Sequence, residues 1–329
     1  MISTFFSVDD EEKAMSYSGI GGQAVMEGVM MKNQDRYAVA VRKPDHEIEV
    51  DVQEYQGVIG NSGIKKVPIL RGVVNFIDSL VLGMRTLMYS ASFFEEEEKE
   101  LSEDEKRKKE KKENAAMTFT VFLSIVLAVA IFMLLPYGLS LFFQRWIASP
   151  TLLALVEGCI RVVIFFLYIV LIACMEDIRR VYMYHGAEHK CINCIEHGMD
   201  LNVENVKKSS RFHKRCGTSF LFLVVFISIL FFACIRTDSM VWRFGLRILL
   251  IPVIAGVAYE FLRLAGSSEN GLVNLLSKPG LGLQKYTTRE PDEEMIEVAI
   301  ASVEAVFDWR SYVEELRREN EKNDAYKES

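Results

Sequence analysis

Four windows of this chain are long, apolar and nearly free of charge: Met117–Phe143, Leu152–Cys174, Gly217–Ile235 and Trp242–Leu264. About 20 apolar residues match the thickness of a bilayer's hydrocarbon core, where a backbone must satisfy its own polar groups as a helix or a closed barrel. The windows therefore predict a mainly α, polytopic helical membrane protein with about four transmembrane helices. Half of the 329 residues are apolar, and the excess sits in these blocks. The start of the chain, Ser7-Val8-Asp9-Asp10-Glu11-Glu12, is acidic where a signal peptide needs a basic start and an apolar core.

Lys and Arg in the connections set the expected orientation. Lys106-Arg107-Lys108-Lys109 precedes the first window. Arg179, Arg180, Lys190, Lys207, Lys208, Arg211, Lys214 and Arg215 fall between the second and third. The other two connections, around Gln144–Thr151 and Arg236–Val241, carry one Arg each. Both termini and the central connection are thus expected in the cytoplasm, on a multi-pass protein of the inner (cytoplasmic) membrane with membrane lipids as partners. A net charge of −7 argues against nucleic acid. The six cysteines do not read as a disulfide framework, because half lie in apolar windows and the rest face a reducing compartment.

Outside the windows, residues 1–18 read as a flexible N-terminus. Residues 19–94 read as a small cytosolic α+β domain containing a β-hairpin, followed by a membrane-associated helix. Gly19-Ile20-Gly21-Gly22 suggests a tight bend feeding a buried segment. Arg36–Val41 and Glu47–Val52 alternate across Lys43-Pro44-Asp45-His46, a hairpin pattern, and Pro68–Phe94 has a helical period. Residues 95–116 form a charged linker. Residues 117–264 are the four-helix membrane domain, whose cytosolic motif loop spans 175–216. Residues 265–329 carry a Gly/Ser/Asn-rich connection, then a cytosolic helix with an apolar stripe of Ile296, Ile300, Val303 and Phe307, and a tail. Within the windows, Glu157 and Arg161 are four apart and can pair, whereas Arg247 and Glu260 are further ionisable groups at depth.

Chemistry concentrates in Tyr184-His185-Gly186-Ala187-Glu188-His189-Lys190-Cys191. On a helix, His185 and His189 share a face one turn apart and can converge on a divalent metal, zinc foremost, with Glu188 beside them as a general base. His-x-x-Glu-His is the order seen in inverzincin metallopeptidases. Candidates for the third ligand are His213, Cys216 and Glu260. A second arrangement pairs Cys191-x-x-Cys194 with His213-x-x-Cys216 in a closed structural zinc site. A third has no metal, only hydrogen-bonded histidines.

Gly21–Met31, Tyr184–Lys190, Arg215-Cys216-Gly217-Thr218-Ser219-Phe220 and Leu283–Pro291 together resemble the YqhQ-like family of bacterial membrane proteins. That resemblance implies a cell-membrane location and a description as predicted metal-dependent enzymes, with no established substrate. His185, Glu188, His189, His213 and Cys216 match the family pattern, whereas the Cys191 and Cys194 positions vary in it, which favours the histidine site. The expectation is a metal-dependent hydrolase acting at the cytoplasmic face on a lipid or membrane peptide. The rivals are a non-enzymatic membrane scaffold or assembly factor and, behind it, a transporter.

Overall fold

The computed structural model describes residues 17–60, 62–94, 103–235, 237, 239–267 and 270–328. Its strands are β1 (Gly21–Val25), β2 (Gly28–Asn33), β3 (Arg36–Arg42) and β4 (Ile48–Glu54). Its helices are α1 (Leu70–Ser92), α2 (Glu103–Val129), α3 (Leu135–Leu141), α4 (Pro150–Ile172), α5 (Glu176–Glu196) and α6 (Val203–Lys208). The later ones are α7 (Gly217–Ala233), α8 (Met240–Ser267), α9 (Gly271–Thr287), α10 (Glu293–Val306) and α11 (Trp309–Glu328). The chain divides into two compact units. Most of the expected flexible N-terminus, residues 1–16, and residues 95–102 of the charged stretch lie outside the described residues.

The first unit draws on residues up to Tyr55, on Val181–His213 and on Thr288 onward. Its sheet is an antiparallel meander in the order β1-β2-β3-β4. The expected hairpin is β3–β4, and it is half of a larger sheet. The glycine-rich stretch bends at Gly19, φ 76°, and its Gly21-Gly22 already begin strand β1, hairpinned to the buried β2 through Met26-Glu27, with Glu27 at φ 47°. Val29, Met31, Ala38 and Ala40 bury one face of the sheet. With Tyr184, Ala187, Ile192 and Ile195 of α5, and Ile296, Ala299 and Val303 of α10, they make one core. Helix α10 starts as its sequence requires: the Asp292 side chain accepts from Met295 N–H at 2.8 Å, and Glu293 and Glu294 occupy the positive end of the helix dipole. Ser302 Oγ then donates to the Ala38 carbonyl at 3.1 Å, pinning α10 to β3.

The second unit, residues 56–180 and 214–287, is helical. Three helical stretches are long and apolar enough to cross a membrane: Ala115–Leu141, Pro150–Ile172 and Met240–Ala265. The first runs from α2 through a π-helical turn, Ala130–Leu134, into α3. The third window, Gly217–Ile235, forms α7, an apolar helix of 17 residues. At 1.5 Å per residue it is about 26 Å long, short of a bilayer's ~30 Å core. Helix α1 crosses α8 where two glycines meet. A Cβ on Gly72 would lie 2.8 Å from the Gly256 carbonyl oxygen, so hydrogen side chains set the spacing.

Leu264–Gln284 is not a mere connection: from Gly271 it is α9. Gly280 packs on Ser219 of α7, where an added Cβ would come within 2.9 Å of Oγ, and buried Gln284 donates to that same Oγ at 3.0 Å. Close packing thus overrides the poor helix propensity of Gly and Pro in this segment.

Candidate functional site

Helix α5 carries His185, Glu188 and His189, and from Val181 onward it belongs to the first unit. The two imidazoles stand one turn apart with ring centroids 4.4 Å from each other, and a ring nitrogen of one lies within 4.8 Å of a ring nitrogen of the other. His189 is 1% exposed, whereas His185 is half-buried. Nδ1 of His189 lies 2.7 Å from the Arg211 carbonyl oxygen. A carbonyl can only accept, so Nδ1 carries a proton and Nε2 is the nitrogen that can offer a lone pair. Orientation of this kind by a backbone carbonyl is how metal-binding histidines are commonly held.

The Arg211 carbonyl is itself fixed by α5. Lys190, 5% exposed, donates from Nζ to the Lys207 and Ser209 carbonyls, each at 2.9 Å, and pairs with Glu290 at 3.0 Å. Asn193 Nδ2 donates to the Ser210 carbonyl at 2.6 Å and the Phe212 carbonyl at 2.9 Å. Three side chains of one helix face thereby hold five carbonyls between Lys207 and Phe212. This delivers His213, whose ring centroid is 5.6 Å from that of His189. His213 Nε2 lies 3.4 Å from Oε2 of Glu196, and the other Glu196 oxygen accepts from Ser18 N–H at 3.1 Å and Ser18 Oγ–H at 2.7 Å.

Glycine lets backbone approach α5 from two sides. A Cβ on Gly22 would meet the Met30 carbonyl oxygen at 2.7 Å and Glu188 Cγ at 2.9 Å. One on Gly186 would lie 1.9 Å from the Arg289 carbonyl oxygen, in the segment whose Arg289 N–H donates to the Tyr182 carbonyl at 2.8 Å. Glu188, 5% exposed, is therefore enclosed by β1 on one flank.

The remaining predicted residues have neighbours of their own. Glu260, expected as a downstream ligand, lies on α8 and accepts from Arg71 Nε at 2.6 Å and Ile69 N–H at 3.2 Å. It braces the start of α1, where Ile69 has φ 69°. Cys216 belongs to the second unit, where it caps α7: its Sγ accepts from Thr218 N–H at 3.4 Å. Cys191 and Cys194 are core thiols, each 0% exposed. Burial raises both pKa values, that of Cys194 to about 11.

Sequence reasoning singled out the histidines but not Lys190, Asn193, Glu196 or the notches at Gly22 and Gly186. A signal existed: His185, His189, Asn193 and Glu196 recur at helical spacing as a polar stripe on an otherwise core-facing helix.

A family model described as Protein of unknown function (DUF1385) matches residues 67–309. The uncharacterized protein YqhQ of Bacillus subtilis (strain 168) is 33% identical over 310 residues, which cover 92% of this chain and 95% of that protein. No solved structure matches the chain.

Proposed function

The chain belongs to the DUF1385 family, and from that premise we propose a metal-dependent hydrolase acting at the cytoplasmic face of a membrane on a lipid or membrane-peptide substrate. The observation that carries the proposal is the 2.7 Å contact from His189 Nδ1 to a carbonyl that α5 itself positions, with a second imidazole one turn away. His185 and His189 would hold a divalent metal, zinc first by donor type. Cys216 follows His213 by three residues, a tether of about 10 Å at full extension, and His213 and Cys216 are the candidates for a third ligand. Glu260 is left out of the ligand set because Arg71 occupies its carboxylate. A metal bound here would supply a Lewis acid and lower the pKa of a bound water.

The chain's own contribution is positional. Lys190 and Asn193 fix the 207–213 segment, and its Arg211 carbonyl fixes the His189 tautomer. Glu188, on the same turn, takes a proton from the attacking water and returns it to the leaving group. Three residues separate α4 from α5, so the site follows directly on a helix apolar enough to span a membrane. The basic central connection supports the cytoplasmic orientation, and the apolar composition of α7 supports a fourth, shorter crossing.

The test is elemental analysis of the full chain purified without chelators, beside the double variant His185→Ala/His189→Ala. About one equivalent of metal in the wild type and none in the variant is expected. Glu188→Gln should keep the metal and lose roughly 10²–10⁴-fold in turnover of labelled membrane lipids or peptides. Absence of bound metal after reconstitution with zinc, manganese, iron or nickel would refute the hydrolase.

A second reading has an observation of its own. The His213–Glu196–Ser18 chain and the Lys190–Asn193 clamp knit three distant segments together. A scaffold needs no more than that. Retained fold and biological activity in Glu188→Gln would favour it.

A further inference from the structure

The second unit buries charge that the proposed hydrolase does not use. Glu157 on α4, Arg161 one turn later and Arg247 on α8 are 4%, 4% and 3% exposed. Arg247 grips the Glu157 carboxylate with both terminal nitrogens, at 2.6 and 2.8 Å, and Arg161 Nη2 reaches the same group at 2.8 Å. Arg161 also donates to the Phe132 carbonyl at 2.9 Å, within the π-helical turn, and to Ser228 Oγ at 3.1 Å. Both guanidinium groups lie over the Phe232 ring, at 4.9 and 5.0 Å from its centroid. One carboxylate thus faces two cations, and arginine does not shed its proton in proteins. Arg247 Nε, buried, has no acceptor among the described residues.

Beside this group is a cavity of about 570 Å³ whose walls include Tyr137, Gln144, Glu157, Phe232, Arg243 and Arg247. Arg243 stands one turn before Arg247 on α8, its Nη2 donating to the Thr237 carbonyl at 2.8 Å and its Nη1 to Tyr137 Oη at 3.3 Å. Two guanidinium groups therefore share one carboxylate, and a third, that of Arg243, lines the same cavity. A surplus of fixed positive charge in helices this apolar is costly unless an anion compensates it. The volume is that of a small-ligand site. Glu157 and Arg247 each stand seven residues past the first residue of their helix, about 10 Å along the axis from its start. Guanidinium forks match phosphate oxygens in spacing and charge.

We propose that this cavity, lined by Arg243 and Arg247, binds a phosphate-bearing anion, either the headgroup phosphate of an anionic lipid or a free phosphate. The reading is independent of the histidine site.

The experiment places the full chain in nanodiscs containing spin-labelled phosphatidylglycerol or spin-labelled phosphatidylcholine and measures the immobilised fraction of each. The wild type should hold the anionic probe in preference to the zwitterionic one. Arg243→Gln should weaken that retention about tenfold, the loss of one charge-assisted contact. Arg247→Lys, which keeps the charge and loses the Nε donor that has no acceptor among the described residues, should also weaken it. Displacement of the probe by millimolar inorganic phosphate, with matching calorimetric binding, assigns the site to soluble phosphate. Resistance to displacement assigns it to lipid. Equal retention of the two lipids by the wild type, together with no calorimetric binding of inorganic phosphate, overturns the proposal whatever the variants do. So does wild-type retention in both variants.

Discussion

Gly186→Ala sets two physical arguments against each other. Gly186 lies inside α5, and in a helix interior alanine is favoured over glycine by about 1 kcal/mol, so local propensity alone makes the change stabilising. The structure says otherwise, because the added Cβ would sit 1.9 Å from the Arg289 carbonyl oxygen. That obstacle is backbone, not the end of a flexible side chain. The 288–291 segment must move, which removes the 2.8 Å bond from Arg289 N–H to the Tyr182 carbonyl. Overpacking costs about 1–3 kcal/mol and the lost hydrogen bond about 1. After subtracting the helical gain, the net loss is about 1–3 kcal/mol, a fall of several degrees in melting temperature. Gly138→Ala is the control: that glycine is helical and has nothing within 4 Å of where its methyl group would sit, so the change should be neutral or stabilising. Hydrogen exchange supplies the local readout, since the Arg289 amide should lose its protection in Gly186→Ala. A variant that melts at or above the wild-type temperature with Arg289 still protected would refute the close approach.

Asn193→Ala should cost about 2 kcal/mol by releasing the Ser210 and Phe212 carbonyls. It should also weaken any metal retention at least tenfold, because the carbonyl that orients His189 lies between them; unchanged metal content would separate the clamp from the site. Glu157→Gln leaves two buried guanidinium groups unbalanced and should cost about 3–5 kcal/mol. Glu157→Gln/Arg247→Gln should be less damaging than that single change, and additive losses in a double-mutant cycle would count against the network. Stability should also fall in alkali. The Cys194 thiol is pushed up to about 11 by burial, above its ordinary 9.0, so the folded state holds that proton more tightly than the unfolded state. Its contribution is complete below about pH 9 and is lost as pH rises from there through about 11. Denaturant melts over that range should show the slope in wild type and a flatter one in Cys194→Ala.

What the sequence disclosed depended on whether one local signal was enough. Three of the four apolar windows could be read from length and charge alone, because a membrane-length helix has no competing explanation in composition. The helical face of His185 and His189 followed from their spacing. Strands β1 and β2 did not declare themselves. Val29, Met30 and Met31 are all buried, so the alternation that marks a half-exposed strand is missing there. Helix α9 was hidden by its Gly280, Gly282 and Pro279, whose helical state rests on contact with α7. Glu260 sat at a plausible distance along the chain from the histidine motif. Nothing in the sequence near it announced that Arg71, 189 residues earlier, would take its carboxylate.

The glycines at positions 22 and 186 explain why two sequence motifs so far apart belong to one site. A glycine in a strand costs roughly 0.5–1 kcal/mol relative to alanine. At Gly22 that cost is offset by what its missing side chain admits, the Glu188 methylene against β1. At Gly186 the missing side chain admits the Arg289 backbone. The turn from His185 to His189 is thus held between two pieces of main chain and cannot rotate about the helix axis without a clash. A scaffold and a metal site both profit from that rigidity. They differ in what they ask of the atom at the tip of residue 188. Packing against Gly22 is served equally by Glu or Gln, which have nearly the same shape, whereas proton transfer is served by the carboxylate alone. Gly22→Ala should therefore disturb the fold under either reading, and Glu188→Gln should disturb function only if the turn does chemistry.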